Sequence, residues 1–334
     1  ERAGRCDDGP VDSPSPPDPA SAVAASPALP ATSRIEGYEL LDCGGGRRLE
    51  RFGAVRLDRP APATAELALS DPSAWRRADA RYLRDRRGHW EGRALETGWP
   101  VAIEGLVMEC RPLPTGGVGL FPEHAPVWRW ARRAAERRPG LRLLNLFAHT
   151  GALSLAAAAG GANVVHVDAA RSAVGWARAN AAASGLADRP IRWLVDDAEG
   201  FVARELRRGS RYDAIVLDPP SYGHGPGGSA WRLEERLPDL LRGVVALGDR
   251  RPELLVVTAH TPGYDADRLR RTLLEAFPPG DRKAGSVDAG PLELRAASGA
   301  VLPSGAFARW RRSGRWRAPT IAGAPRPPGS RAPR

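Results

Sequence analysis

The stretch Arg142-Leu-Leu-Asn-Leu-Phe-Ala-His-Thr-Gly151, followed by the alanine-rich run 152–160 and then Asn163-Val-Val-His-Val-Asp168, decides the fold of this chain. It reads as an apolar strand, a turn that ends in glycine, a helix, and a second apolar strand that stops at an acid. That order is the opening half of a nucleotide-binding α/β unit. Gly151 is expected to let the backbone approach a ligand, the helix behind it to point its N-terminus at that ligand, and Asp168 to accept hydrogen bonds from ribose hydroxyls.

Working outward, the alternation continues with helix 171–184, strand 191–195, helix 198–208, strand 212–217, helix 230–247, strand 253–258 and helix 265–277. Five strands separated by helices predict a doubly wound, mostly parallel α/β sheet. Pro291-Leu-Glu-Leu-Arg-Ala296 and Ala306-Phe-Ala-Arg-Trp310 add two strands with no helix between them. They are expected to pair antiparallel at the sheet edge and to bring the total to seven. On the other side, a helix over 125–138 stops at Pro139-Gly140, and residues 35–122 alternate short apolar pieces with glycine turns. The expected organisation is a disordered leader at 1–34, a small β-rich subdomain at 35–122, a catalytic domain at 123–312 and a basic disordered tail at 313–334. Within the subdomain, residues 75–90 interleave aromatics with arginines. They suit either a grip on unstacked bases or an amphipathic helix with Trp75, Tyr82 and Leu83 on the sheet, and the helix is the favoured expectation.

The 334 residues carry a net charge of +10, which points to an anionic partner. Seven arginines and no acid fall between Arg311 and Arg334, so the rest of the chain keeps only +3. Lys283 is the sole lysine, so the basicity also fits a general compositional bias, and a solvated tail stands level with a nucleic-acid contact. No apolar run reaches the roughly 20 residues that span a bilayer. The proline-rich start has no apolar core of a secretory signal, and the chain begins at Glu1, so an upstream piece is expected. Cys6, Cys43 and Cys110 are widely spaced, which argues against a disulfide framework or a structural zinc site and fits a cytoplasmic protein. Nothing in the sequence sets an oligomeric state.

In an open α/β sheet the ligand lies beyond the carboxyl ends of the strands. Those ends carry Phe147-Ala-His-Thr-Gly151, Asp168, Asp196-Asp197-Ala198, Asp218-Pro-Pro-Ser-Tyr222 and Thr258-Ala-His-Thr261. The single glycine after the first strand is not the G-x-G-x-x-G of a dehydrogenase. A lone acid after the second strand often only caps the next helix, but four polar strand ends together make coincidence a poor account. These motifs resemble a class I S-adenosylmethionine-dependent methyltransferase. More narrowly, Asn145-Leu-Phe-Ala-His-Thr-Gly151, Asp196-Asp197 and Val216-Leu-Asp-Pro-Pro-Ser-Tyr222 resemble the bacterial 23S ribosomal RNA large-subunit methyltransferases. Gly119-Leu-Phe-Pro-Glu-His124 stands where that family has a similar segment just before its catalytic domain.

The resemblance implies a Rossmann-like sheet and S-adenosylmethionine as cofactor. It implies cofactor contact by Asn145, Phe147, Ala148, His149, Thr150 and Gly151, with Asp168 on the ribose, Asp197 and Ala198 at the adenine, and Asp218, Pro219 and Pro220 beside the transferred methyl. Tyr222 is then expected to stack on a flipped base. Methylation at carbon 5 of a pyrimidine needs a cysteine nucleophile, and no cysteine follows Cys110, so a base nitrogen is the expected target. Ser221 intervenes between the prolines and Tyr222, which leaves an exocyclic amino target open rather than specified. His224 and His260 are each weighed as cleft groups or as solvated and capping ones, whereas His149 and His166 read as structural. The expectation is a cytoplasmic RNA methyltransferase, rRNA foremost, with no metal and no membrane partner. A small-molecule or protein substrate is the alternative, and a non-catalytic protein of the same fold the least favoured.

Overall fold

The computed structural model describes residues 35–85, 88–93, 97–224 and 230–313. The leader and the tail beyond Ser313 lie outside them, as does the side chain of His224.

In chain order the first part comprises β1 (Tyr38–Gly44), β2 (Arg47–Phe52), β3 (Val55–Pro60), the short α1 (Pro72–Trp75), β4 (Ala80–Leu83), β5 (His89–Gly92), β6 (Trp99–Ile103) and β7 (Leu106–Cys110). The strands β1 to β5 form one sheet in that order, and β6 pairs with β7 as a hairpin. The helix expected over 75–90 is therefore replaced by a strand pair, Tyr82 standing opposite Trp90. The physical reason is local. Alternate residues of β4, Ala80 and Tyr82, are buried, so the period is two rather than 3.6. Trp75 and Tyr82 do pack inward, as the helical reading required of them.

The second part comprises α2 (Ala125–Arg137), β8 (Arg142–Leu146), α3 (Ala152–Ala159), β9 (Asn163–Asp168), α4 (Arg171–Ala183), β10 (Ile191–Val195), α5 (Ala198–Arg207), β11 (Ala214–Leu217), β12 (Tyr222–His224), β13 (Ala230–Arg232), α6 (Leu233–Leu247), β14 (Leu254–Ala259), α7 (Ala266–Ala276), β15 (Gly285–Arg295) and β16 (Val301–Arg312). Seven strands make one sheet in the order β10-β9-β8-β11-β14-β16-β15. The first five are parallel, and β16 runs antiparallel to both β14 and β15. This is the doubly wound, mostly parallel sheet anticipated. The helix expected from 230 starts instead at Leu233, because residues 230–232 pair with β12.

Buried-on-both-faces strands explain the continuous apolar runs. All four residues of β11 and all six of β14 are buried. The helix α2 is one-sided instead, burying Val127, Trp128, Ala131 and Ala135 at helical spacing. One continuous core joins the β-rich part to the sheet, since Phe52, Ile103 and Met108 belong to the same packed cluster as Leu143, Leu155 and Val256. Each such fully buried Leu or Ile contributes about 1.5–3 kcal/mol, so the β-rich part and the seven-stranded sheet stabilise each other. Polar pins reinforce the joint: Asn180 Oδ1 accepts from the Glu109 amide at 2.9 Å while its Nδ2 donates to the Thr150 carbonyl at 2.9 Å.

Candidate active site

The polypeptide leaves β8 through a backbone of unusual conformation. Phe147 and His149 have φ of 55° and 48°, and Gly151 has φ of 93°. Left-handed residues other than glycine cost about 1–3 kcal/mol each and persist where surroundings enforce them. Here the enforcing group is Asp168 at the end of β9, whose Oδ2 accepts from the His149 amide at 2.8 Å. Its Oδ1 accepts from the Ala170 amide at 2.8 Å, just before α4. The carboxylate thus ties the turn after β8 to the turn before α4, a helix that has no side-chain cap. Two of its roughly four lone-pair positions remain for a ligand. Gly151 also has a structural reason. A Cβ there would meet the Ala177 Cβ at 2.9 Å, so glycine serves the left-handed turn and the contact between α3 and α4.

A second wall comes from Gly119–His124. Thr150 Oγ donates to the Gly119 carbonyl at 2.5 Å, and a Cβ on Gly119 would strike the Trp176 ring. The segment is pinned against the turn, with the Phe121 ring 5.3 Å from that of His149. Between the walls lies a narrow cleft lined by Phe121, His124, Asn145, Phe147–Leu153, Val216, Asp218 and Thr258. Asn145 stands in its floor, but its amide donates to Ser154 Oγ at 3.0 Å, which in turn meets His166 Nδ1 at 3.0 Å. Burial pushes His166 down to about 3, so it is a neutral core residue as anticipated. The His149 ring borders the cleft, where the family resemblance puts a cofactor contact, and its buried Nδ1 has no hydrogen-bond partner among the described residues.

The carboxyl ends of β11 and β14 supply the charged part. Burial raises Asp218, but His124, His260 and the hydroxyl of Thr258 outweigh it and hold the carboxyl well below the usual range. Burial lowers His260, yet its hydrogen bond to Asp218 and the carboxylate's charge lift it to about 9. His124 is held below its ordinary value, chiefly by burial. His260 Nδ1 donates to the Ser304 carbonyl at 2.6 Å. That contact needs Gly305, where a Cβ would sit 2.3 Å from the Ala259 carbonyl oxygen. Of the two histidines weighed from sequence, His260 therefore belongs to the cleft. The sequence reading quoted the segments that hold Phe121, His124 and Thr258 but gave these three residues no individual role; the signal available for His124 was its place directly before a helix in a proline-led motif.

The remaining expected residues spread around this centre. Asp197 caps α5, accepting from the Gly200 amide at 2.8 Å, beside buried Ala198. Pro220 offers its carbonyl to Trp231 Nε1 at 2.7 Å, and Trp231 packs on Phe147, which fastens the β12–β13 hairpin to the turn. Tyr222 projects from that hairpin, 65% exposed, with the Arg232 guanidinium 5.5 Å above its ring. A larger groove lies at the opposite end of the sheet, between Trp130, Arg133, Arg137 and Arg138 and the end of β16. It is remote from the strand carboxyl ends and is not the site of chemistry.

The model of the S-adenosylmethionine-dependent methyltransferase family matches residues 60–252, more than half of the chain. The chain belongs to that family. An S-adenosylmethionine-dependent methyltransferase from Agrobacterium tumefaciens is 36% identical, with a TM-score of 0.79 over 85% of this chain and 96% of that one. A methyltransferase structure from Streptococcus mutans, 16% identical with a TM-score of 0.66 over 84% of this chain and 76% of its own, shares the fold. Among curated proteins, ribosomal RNA large subunit methyltransferase K/L of Alcanivorax borkumensis is 34% identical over 136 residues, 38% of this chain and 17% of that protein. Its counterpart in Marinobacter nauticus is 37% identical over 109 residues, 32% and 14% of the two chains. The match thus spans less than a fifth of these curated relatives. This methyltransferase uses S-adenosylmethionine, and its cleft suits that molecule: an unpartnered His149 Nδ1 and an aromatic and apolar lining. Among the described residues no helix is long and apolar enough to cross a membrane.

Proposed function

We propose that this methyltransferase modifies RNA, with ribosomal RNA the leading substrate and a base nitrogen the acceptor, and that no cysteine nucleophile takes part. Asp218 carries the reading. Its carboxylate is held ionised in the cleft, an acceptor suited to orienting an amine or ring N–H. S-adenosylmethionine supplies a methyl on a sulfonium, and such a displacement asks the protein mainly for alignment. Asp218, with the proline-stiffened turn at Pro219 and Pro220, fixes the acceptor nitrogen, and exposed Tyr222 offers its ring for a flipped base. In this reading Phe147 to Gly151 and Asn145 form the methionine end of the cofactor site, Asp168 takes the ribose, and Asp197 with Ala198 the adenine.

Two observations support the chemistry and the substrate. Cys43 and Cys110 are buried in the β-rich core, and burial pushes the Cys110 thiol up to about 12, so neither is a thiolate nucleophile for the cleft. The curated relatives, matched over less than a fifth of their length, are named ribosomal RNA large subunit methyltransferases. The near-neutral body of the chain outside its basic tail favours the second reading, a small-molecule or protein acceptor. Asp218→Asn tests the mechanism: methyl incorporation into RNA is expected to fall by about 100-fold or more, with cofactor affinity within about threefold of wild type. Unchanged turnover would remove Asp218 from the mechanism, and methylation confined to protein or metabolites would replace the substrate.

A further inference from the structure

Three side chains from three separate elements aim their donor atoms at one point. His124 precedes α2, Asp218 follows β11 and His260 follows β14. His124 Nε2 and His260 Nε2 are 2.9 Å apart, His260 Nε2 is 3.3 Å from Asp218 Oδ1, and His124 Nε2 is 3.7 Å from Asp218 Oδ2. Ligand atoms about 2.0–2.2 Å from a tetrahedral cation stand about 3.3–3.6 Å from each other. The contacts of His260 and His124 to Asp218 fall near that spacing, each to a different carboxylate oxygen, and an ion would take one of these oxygens and part the two imidazole nitrogens.

The supporting contacts point the same way. His260 gives its Nδ1–H to the Ser304 carbonyl, which fixes the ring so that Nε2 faces the centre. Thr258 Oγ donates to Asp218 Oδ1 and orients the carboxylate. Metal-binding histidines and carboxylates are held by outer partners of this type. The side chains of His260 and Asp218 are 35% and 34% exposed, so the centre is open on its cleft side.

We propose that His124, Asp218 and His260 form a site for a first-row divalent cation, zinc being the best match to two imidazoles and one carboxylate. The open positions face the cleft, where they would receive a carbonyl oxygen of the methyl acceptor and leave the lone pair of the reacting nitrogen free for attack. This role rests on the methyl-transfer reading of Asp218; binding of the ion does not.

The test uses the full chain without an affinity tag, stripped with a chelator and titrated with zinc chloride by calorimetry, and with cobalt(II) followed by visible absorption. One equivalent is expected, with cobalt bands of nitrogen and oxygen ligation and no thiolate charge-transfer band. His124→Ala and His260→Ala are each expected to weaken zinc by at least about 10–100-fold, the loss typical of removing even an outer partner. Thr258→Val, close in shape to the native residue, is expected to weaken it by about tenfold and covers the case in which a histidine variant fails to fold. Exposed His89→Ala is expected to change nothing. The proposal is overturned if the wild type takes up no stoichiometric zinc or if the histidine variants bind it as the wild type does; the triangle is then a proton-sharing histidine pair beside Asp218. S-adenosylmethionine affinity of the stripped protein is measured in parallel, and its loss would instead count against the cofactor site.

Discussion

Asp168 shows how one residue serves several levels at once. Its carboxylate holds the strained turn through the His149 amide and fixes the turn before α4 through the Ala170 amide. A ribose hydroxyl would meet an acceptor that is already fixed, and a hydrogen bond to a charged group contributes about 1.5–3 kcal/mol. Asp168→Ala is therefore expected to weaken S-adenosylmethionine by about 10–100-fold in calorimetry, and an unchanged Kd would take Asp168 out of the cofactor site. Its importance was legible because an acid at the end of an apolar strand is conspicuous. His124 was not legible: its partner His260 is 136 positions away, and local sequence does not encode which distant strand end a helix start will meet. Phe147 and His149 could be assigned to the turn, but their left-handed conformation could not, since it follows from the anchoring by Asp168.

At the level of elements, strands and helices with a pronounced period were readable and charge-rich segments were not. The helix expected over 75–90 became β4 and β5 because pairing with β3 and burial of Tyr82 override a weak local preference. Strand β2 holds a related surprise in Glu50, fully buried, which accepts from Tyr38 Oη at 2.9 Å and from Arg59 Nε at 2.8 Å and lies beside Arg48. Burial raises its carboxyl, but Arg48 and Arg59 outweigh this and bring it below its ordinary value. Removing one member of a buried ion cluster leaves the others uncompensated, so Glu50→Gln is expected to lose about 3–5 kcal/mol in denaturant unfolding. The folded value lies below the unfolded one of about 4.3. The stabilisation is then complete above that pH and is lost as pH falls through the folded value. Glu50→Gln should flatten the acid limb of the stability profile; a limb as steep as in wild type would exclude Glu50 as its source.

At the scale of the whole molecule, α2 connects the two ends of the sheet. It starts beside His124 and, with 13 residues, runs about 20 Å to the arginine-lined groove at the far end. Arg138, Arg309 and Arg312 are paired there with Asp213, Asp288 and Glu253, whereas Arg133 and Arg137 make no ion pair among the described residues. The strand that ends in this groove leads into the arginine-rich tail of the sequence. If RNA is the substrate, Arg133→Glu with Arg137→Glu is expected to weaken RNA binding and lower the slope of log K against log salt by about one per lost phosphate contact, leaving cofactor affinity unchanged. An unaltered slope would exclude the groove from RNA binding. The sequence by itself determined the alternation of strands and helices, the sheet they build, the cofactor family and the acids at its strand ends, because burial pattern and turn chemistry are local and periodic. Only the tertiary structure decided that one core crosses residue 122, that Glu50 is buried, and that His124, Asp218 and His260 converge. Those facts depend on contacts between residues far apart in the chain, where packing rather than local preference selects the neighbour.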